Sequence, residues 1–261
     1  MIKALFFDID GTLVSFQTHK VPNSTIAAIT EAHNKGIYVF ISTGRPKAII
    51  NNLTELQSLN LIDGYITMNG AYCLIGNNII YKSPIFRKEV EAIANFTQHI
   101  NTASIYVAEH GISVSQPNEI LKQIFYKDLH VDEIPVIPFE QLPSDQIYQI
   151  TPFITIEQEL QLHPHIPNCE IGRWHSAFAD ITAKGNTKKK GMDEIIKHFD
   201  FDLNETMSFG DGGNDESMLR HASIGVAMGQ AEDHVKQTAD YITTSVDNDG
   251  IYNAMKHFNI I

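Results

Sequence analysis

The chain has 261 residues, 43% of them apolar and 19% charged, with a formal net charge of −12. That length can bury a sizeable core, in one large domain or two unequal ones. The acidic balance, with no basic tail or Arg-rich stripe, excludes the clustered Lys and Arg that a nucleic-acid partner requires.

Taken in chain order, IKALFF at 2–7 predicts a buried strand. The apolar residues between Lys3 and Asp8 are too few for a signal peptide or a membrane span, so a cytoplasmic location without a membrane partner is expected. VPNSTIAAITEAHNKG predicts a helix capped at Asn23 or Ser24 and stopped at Gly36, with Ile26 and Ile29 at helical spacing. IYVFIS predicts a second strand, and STGRP leads into a helix carrying Ile49, Ile50, Leu53 and Leu56. Alternating strands and helices are the pattern of a parallel α/β sheet. GYITMNGAYCLIGNNIIYK then reads as a hairpin turning at Gly76, Asn77 and Asn78.

The middle of the chain has another texture. Between Ser83 and Thr182 lie eight of the ten prolines, and strand-like ASIYVAEHGISVSQ alternates with helical RKEVEAIANFTQHI and NEILKQIFYKDL. This predicts an α+β domain at 83–183 inserted into an α/β core formed by 1–82 and 184–261. The core resumes with strands TMSFGD, IGVAM and DYITT, helical DESMLRHA and AEDHVKQTA, and a closing helix in NDGIYNAMKHF. Cys73 and Cys169 show neither a disulfide framework nor a metal-ligand spacing and read as buried thiols.

Chemistry is expected where strands end, because open α/β sheets bind ligands beyond their carboxyl edges. Asp8 and Asp10 leave the first strand there, and Gly11 lets the chain turn away. GDGGNDESM stands at the end of the late strand TMSF. If Asp211 and Asp215 come near Asp8, the crowded carboxylates are unfavourable unless a cation sits among them, and hard oxygen donors suit Mg²⁺. Thr43 and Gly44 follow a strand and precede a predicted helix, where a hydroxyl and a free backbone N–H would cradle phosphate; a plain N-cap is the alternative for Thr43. Arg45 either reaches substrate or pairs with an acid, and Asn69 either lines a pocket or shapes a turn. Trp174 and His175 form a substrate face or belong to the insert's own core and surface, and no histidine spacing indicates zinc.

With DIDGTL at 8–13, STGR at 42–45, KGNTKKKG at 184–191 and GDGGND at 210–215 in this order, the chain resembles the phosphatases of the haloacid dehalogenase superfamily. Within that superfamily it is similar to the Cof-like group, which carries a type two, subclass B cap. The resemblance implies a Rossmann-like parallel-sheet core with an inserted α+β cap. It makes Asp8 a nucleophile that forms an aspartyl-phosphate, and Asp10 the acid for the leaving alcohol and then the base for water. It implies Mg²⁺ held by Asp8, the Asp10 backbone carbonyl and Asp211, with Asp215 also at the metal site and, with Asn214, orienting waters and the loop. Family members often read KGxSKG where this chain reads KGNTKKKG. Counting four residues from Lys184 selects Lys188 to stabilise the phosphoryl oxygens, leaving Lys189 and Lys190 on the surface. Thr43, Gly44, Arg45, Lys188 and Asn214 then bind phosphate and substrate. The implied substrate is a small phosphorylated metabolite, hexose phosphates foremost, with no nucleic acid, membrane or obligate protein partner. A phosphotransferase or phosphomutase shares the same motifs. A non-catalytic phosphate sensor is the third reading, and the filled catalytic positions weigh against it.

Overall fold

Both faces of the first strand are buried, and that arrangement organises the larger part of the protein. A computed structural model describes residues 1–138, 141–142 and 144–261, with Trp174 described in its backbone only, so the reading of its side chain lies outside the described residues. The chain divides into two compact units: Met1–Gly44, Ile50–Tyr81 and Thr187–Ile261 form one, Arg45–Ile49 and Lys82–Asn186 the other. The second crossing thus falls three residues beyond the expected 183/184, and the short piece Arg45–Ile49 groups with the second unit.

In chain order the strands are β1 (Ala4–Phe7), β2 (Tyr38–Ser42), β3 (Gly64–Thr67), β4 (Tyr72–Ile75) and β5 (Asn78–Lys82). They continue as β6 (Ser104–Ala108), β7 (Gly111–Ser115), β8 (Ile147–Pro152), β9 (Cys169–His175) and β10 (Phe178–Ala183). The last are β11 (Thr206–Gly210), β12 (Ile224–Ala227) and β13 (Tyr241–Ile242). The helices are α1 (Asn23–Asn34), α2 (Thr54–Ser58), α3 (Arg87–His99), α4 (Glu119–Leu121) and α5 (Ile156–Leu162). After them come α6 (Lys188–Phe199), α7 (Glu216–Leu219), α8 (Asp233–Lys236) and α9 (Gly250–His257).

The first unit is built on a sheet of order β13-β12-β11-β1-β2-β3-β4-β5. It is parallel from β13 to β3 and turns antiparallel at β4. Leu5 and Phe7 pack with Ile29 and Ala32 of α1 and Ile251 and Met255 of α9. On the opposite face Ala4 and Phe6 pack with Met192 and Ile195 of α6 and Met218 of α7. Helices on both faces explain why β1 is a continuous apolar run and not an alternating one. Each fully buried Phe contributes about 1.5–3 kcal/mol relative to exposure. Phe7 is paired in register with Phe209 and stacks on it at 4.7 Å. The first strand and the late strand therefore end side by side, although about 200 residues of sequence separate them.

Three local expectations change. α1 has Pro22 at its N-cap and no side-chain cap; Asn23 and Ser24 lie inside the first turn, and Ser24 Oγ donates to Asp249 Oδ1 at 2.5 Å instead. Pro22 holds φ at −60° and starts the helix one residue early. The long helix expected after STGRP is a single 3₁₀ turn at Lys47–Ile49 followed by the five-residue α2. Asn51 and Asn52 separate them, and Asn side chains compete with the helical backbone. The expected hairpin turn at Gly76 and Asn77 does join β4 to β5, but Asn78 is already the first residue of β5, and β3 precedes the pair as a further strand that reaches β4 through a turn at Met68–Gly70.

The second unit is a sheet of order β7-β6-β8-β10-β9 with every described pair antiparallel. Val90 and Ile93 of α3 and Leu162 of α5 pack on Tyr106, Ile150 and Ile181 from one face of it. Thr155 and Gln158 form a capping box that starts α5. Among the described residues no helix is long and apolar enough to cross a membrane.

Candidate active site

The Asp8 N–H donates to the Phe209 carbonyl at 3.0 Å, carrying the β1–β11 ladder one residue past the end of β1. This sets Asp8 beside the loop that begins at Gly210. The chain then closes a tight turn, Val14 N–H to Ile9 O at 2.8 Å and Gly11 N–H to Val14 O at 2.9 Å, with Gly11 at φ +86°. A methyl group at Gly11 would collide with the Asp211 carboxylate and lie 2.7 Å from Phe16 Cε2, so only glycine permits this approach.

The late loop is organised by Asp215. Its Oδ2 accepts the backbone N–H of Asp211 at 3.0 Å and of Gly212 at 2.9 Å. Its Oδ1 lies 2.5 Å from Lys188 Nζ, which is also 2.5 Å from Asp8 Oδ1. Lys188 opens α6, whose N-terminus is capped by Thr187 Oγ1 accepting the Lys190 N–H at 3.1 Å. The Lys188 side chain is 0% exposed. Its neighbours separate as helical geometry requires: Lys189 is exposed, and Lys190 pairs with Glu194 at 2.6 Å over the Tyr81 ring. Lys190 is thus a half-buried packing residue and not simply solvated.

Carboxylate oxygens of Asp8, Asp211 and Asp215 lie within 4.8 Å of one another. Burial, then the Asp215 charge, hold the Asp8 carboxyl well above the usual range despite the counterpull of Lys188. Burial and Asp215 push Asp211 up to about 7. Burial opposes the Lys188 charge, but Asp215 and Asp8 outweigh it and raise its pKa. One ammonium among three carboxylates, two buried and one half-buried, leaves negative charge uncompensated. Hard oxygen donors with surplus negative charge fit a divalent cation, so the donor set suits the expected group.

The structure brings together Asp8, Lys188, Asp211 and Asp215 from the expected set. The side chain of Asp10 is outside the three-carboxylate group. Asn214 Nδ2 donates to Asn69 Oδ1 at 3.0 Å. Thr43 is buried at the end of β2, but its N–H donates to Ile66 O at 2.9 Å within the sheet, and its carbonyl accepts the Asn69 N–H at 3.0 Å. The Thr43 N–H thus belongs to the β2–β3 ladder and a 3₁₀ turn follows at Lys47–Ile49, which leaves the Thr43 hydroxyl and the Gly44 N–H as the atoms a phosphate cradle would use. Gly44 closes the first segment of the first unit, while Arg45 belongs to the second unit and its Nη1 donates to Ile49 O at 3.3 Å. In the second unit His175 stacks on Phe178 at 5.1 Å, its Nδ1 accepts the Ala177 N–H at 3.1 Å, and burial lowers its pKa.

Three residues escaped the sequence reading. Thr12 Oγ1 donates to Asp211 Oδ1 at 3.2 Å. Gln230 Nε2 donates to Gly11 O and reaches Asp211 Oδ2 at 3.5 Å. Phe16, itself 53% exposed, has its ring against Gly11. Thr12 sits inside DIDGTL, where it could have been suspected; nothing local marks Gln230 or Phe16.

This fold and site define a class, an α/β enzyme with carboxylates and a buried lysine at the carboxyl edge of a parallel sheet. The chain belongs to the haloacid dehalogenase-like hydrolases, whose sequence profile matches residues 5–255, and within them it is a phosphatase. It is similar to the solved subclass IIB sugar phosphatase BT4131, with 64% identity, coverage of 99% of this chain and 100% of that one, and a TM-score of 0.97. The phosphatase BT1666 of Bacteroides thetaiotaomicron is 34% identical, with 100% and 96% coverage and a TM-score of 0.88. A relative from Bacillus subtilis, the 5-amino-6-(5-phospho-D-ribitylamino)uracil phosphatase YcsE, is 28% identical over 258 residues, 98% of this chain and 96% of its own length.

Proposed function

We propose that the protein is a Mg²⁺-dependent phosphatase of small phosphorylated metabolites, hexose phosphates foremost, working through an aspartyl-phosphate on Asp8. The observation that carries this reading is Lys188 Nζ standing 2.5 Å from both Asp8 and Asp215, beside Asp211. Asp8 Oδ forms a bond to phosphorus as the ester P–O bond breaks, and Asp10 gives its proton to the departing alkoxide. Water then loses a proton to Asp10 and attacks the same phosphorus, releasing phosphate and restoring Asp8. Lys188 offsets the charge on the transferring oxygens. Asp8, Asp211 and the Asp10 backbone carbonyl would hold the cation, whose chemistry is to screen the charge between carboxylate and phosphate. Asp215, with Lys188 and two backbone N–H groups on it, keeps the Asp211 loop in place.

The hexose preference is supported by the likeness to a protein described as a sugar phosphatase. The sequence motifs lie outside 83–182, so the second unit is read as a cap that sets selectivity. A reducing, cytoplasmic location belongs to the same reading, supported by two buried unpaired thiols. A panel of sugar phosphates and other phosphate esters, assayed with Mg²⁺ and with EDTA, tests the whole. Inorganic phosphate should appear from hexose phosphates only with the cation, and Asp8→Asn should lower the rate by several powers of ten. Transfer to a second sugar in place of phosphate release would assign a phosphotransferase, and an Asp8→Asn rate within tenfold of wild type would remove Asp8 as nucleophile.

A further inference from the structure

The turn at Met68–Gly70 does more than join β3 to β4. Met68 and Asn69 both stand at positive φ, 52° and 51°, a pair of left-handed residues that costs free energy. Asn tolerates this conformation well, so Asn69 could serve the backbone alone. Its side chain shows otherwise. A turn-forming Asn bonds its own neighbours or faces water. Asn69 is only 7% exposed, and its Oδ1 accepts from Asn214 Nδ2, 145 positions away in sequence, at 3.0 Å. Its Nδ2 has no hydrogen-bond partner among the described residues. Buried amide donors are seldom left unpaired, and one that is calls for an acceptor.

The surroundings say which acceptor. The Asn69 N–H is held by the Thr43 carbonyl. Gly70 follows so closely on α6 that an added methyl group would collide with the Thr187 carbonyl, one residue before Lys188. Asn214 adjoins Asp215, the partner of Lys188. The orphan donor is therefore held between the end of β2, the first turn of α6 and the late loop, which together carry the residues assigned to phosphate.

We infer that Asn69 is a phosphate-binding residue: its Oδ1 fixes the Asn214 amide, and its Nδ2 donates to a phosphoryl oxygen of the substrate. The inference rests on the phosphatase reading of this site. It makes the strained turn functional, since the left-handed backbone is what turns the amide inward.

Two variants separate side chain from backbone. Asn69→Gly keeps the left-handed conformation without strain and removes the amide. Asn69→Asp keeps an acceptor for Asn214 and nearly the same shape but replaces the donor with a carboxylate. Binding of inorganic phosphate, measured by calorimetry with Mg²⁺ present, should weaken at least threefold in Asn69→Gly and at least tenfold in Asn69→Asp, with thermal midpoints close to wild type. KM for a hexose phosphate should rise accordingly. Phosphate binding within twofold of wild type in both variants overturns the assignment while leaving the phosphatase reading intact. A wild-type protein that neither binds phosphate nor hydrolyses any ester overturns that reading and this inference with it.

Discussion

Lys188 and Asp215 meet at 2.5 Å with side chains 0% and 1% exposed, a buried pair drawn from the start of α6 and the loop after β11. Such a pair adds little net stability while intact, but losing one partner leaves the other charge stranded. Lys188→Met should therefore destabilise the cation-free protein by about 3–5 kcal/mol at pH 8. The loss should shrink towards pH 5, because burial raises Asp8 and Asp211 so that they take up protons there. Urea unfolding in EDTA at both pH values measures it; a loss under about 1 kcal/mol at pH 8 would show that the pair behaves as a surface bridge.

The acid cluster links stability to pH with a definite sign. Burial and the Asp215 charge push Asp211 up to about 7 in the folded protein, well above the ordinary carboxyl value of about 4, and Asp8 is raised in the same direction. Between those two values the folded state keeps a proton that the unfolded chain has released. Stability from these groups is thus fully present below about pH 4 and falls as pH rises through 7, by up to about 1.4 kcal/mol per pH unit per group. A divalent cation opposes this by binding the ionised form. The rise in melting temperature with Mg²⁺ should be small at pH 5 and several degrees at pH 8, and an equal rise at both would remove the cluster as the cation site.

Gly11→Ala tests the approach of the two acidic loops. The variant forces a side chain to φ +86° and drives a methyl group into the Asp211 carboxylate and the Phe16 ring. The backbone cost alone is about 1–2 kcal/mol. Displacement of Asp211 should add a loss of Mg²⁺ affinity of at least tenfold, read by titration of the folded variant. Unchanged affinity would mean that the Asp211 position does not depend on Gly11.

Cys73 and Cys169 are both buried, and burial pushes each thiol up to about 12. Since only the thiolate is nucleophilic, a disulfide reagent at pH 8 should modify neither in the folded protein and both in guanidinium. Rapid labelling of either without unfolding would place that thiol at an accessible surface.

The sequence by itself determined the apolar strands, the acidic residues that end them and the choice of Lys188 among three lysines. These are local signals: a continuous apolar run, a DxD after it, a fixed spacing of four residues. Helical geometry lets only one of three lysines about 100° apart face the site, and the spacing from Lys184 that the family resemblance supplies says which. What only the tertiary structure decided are contacts over long separations. The Phe7–Phe209 register sets Asp8 beside Asp211, Gln230 reaches Gly11 across 219 positions, and Asn69 meets Asn214 across 145. No spacing rule reports such pairs, because sheet order is fixed by how both faces bury their apolar residues at once. The same competition reshaped the segment after β2, where the β2–β3 ladder takes the Thr43 N–H and a 3₁₀ turn stands in place of the longer helix. It also decided Asn69, whose turn conformation was legible in its residue type while its inward-facing amide was not.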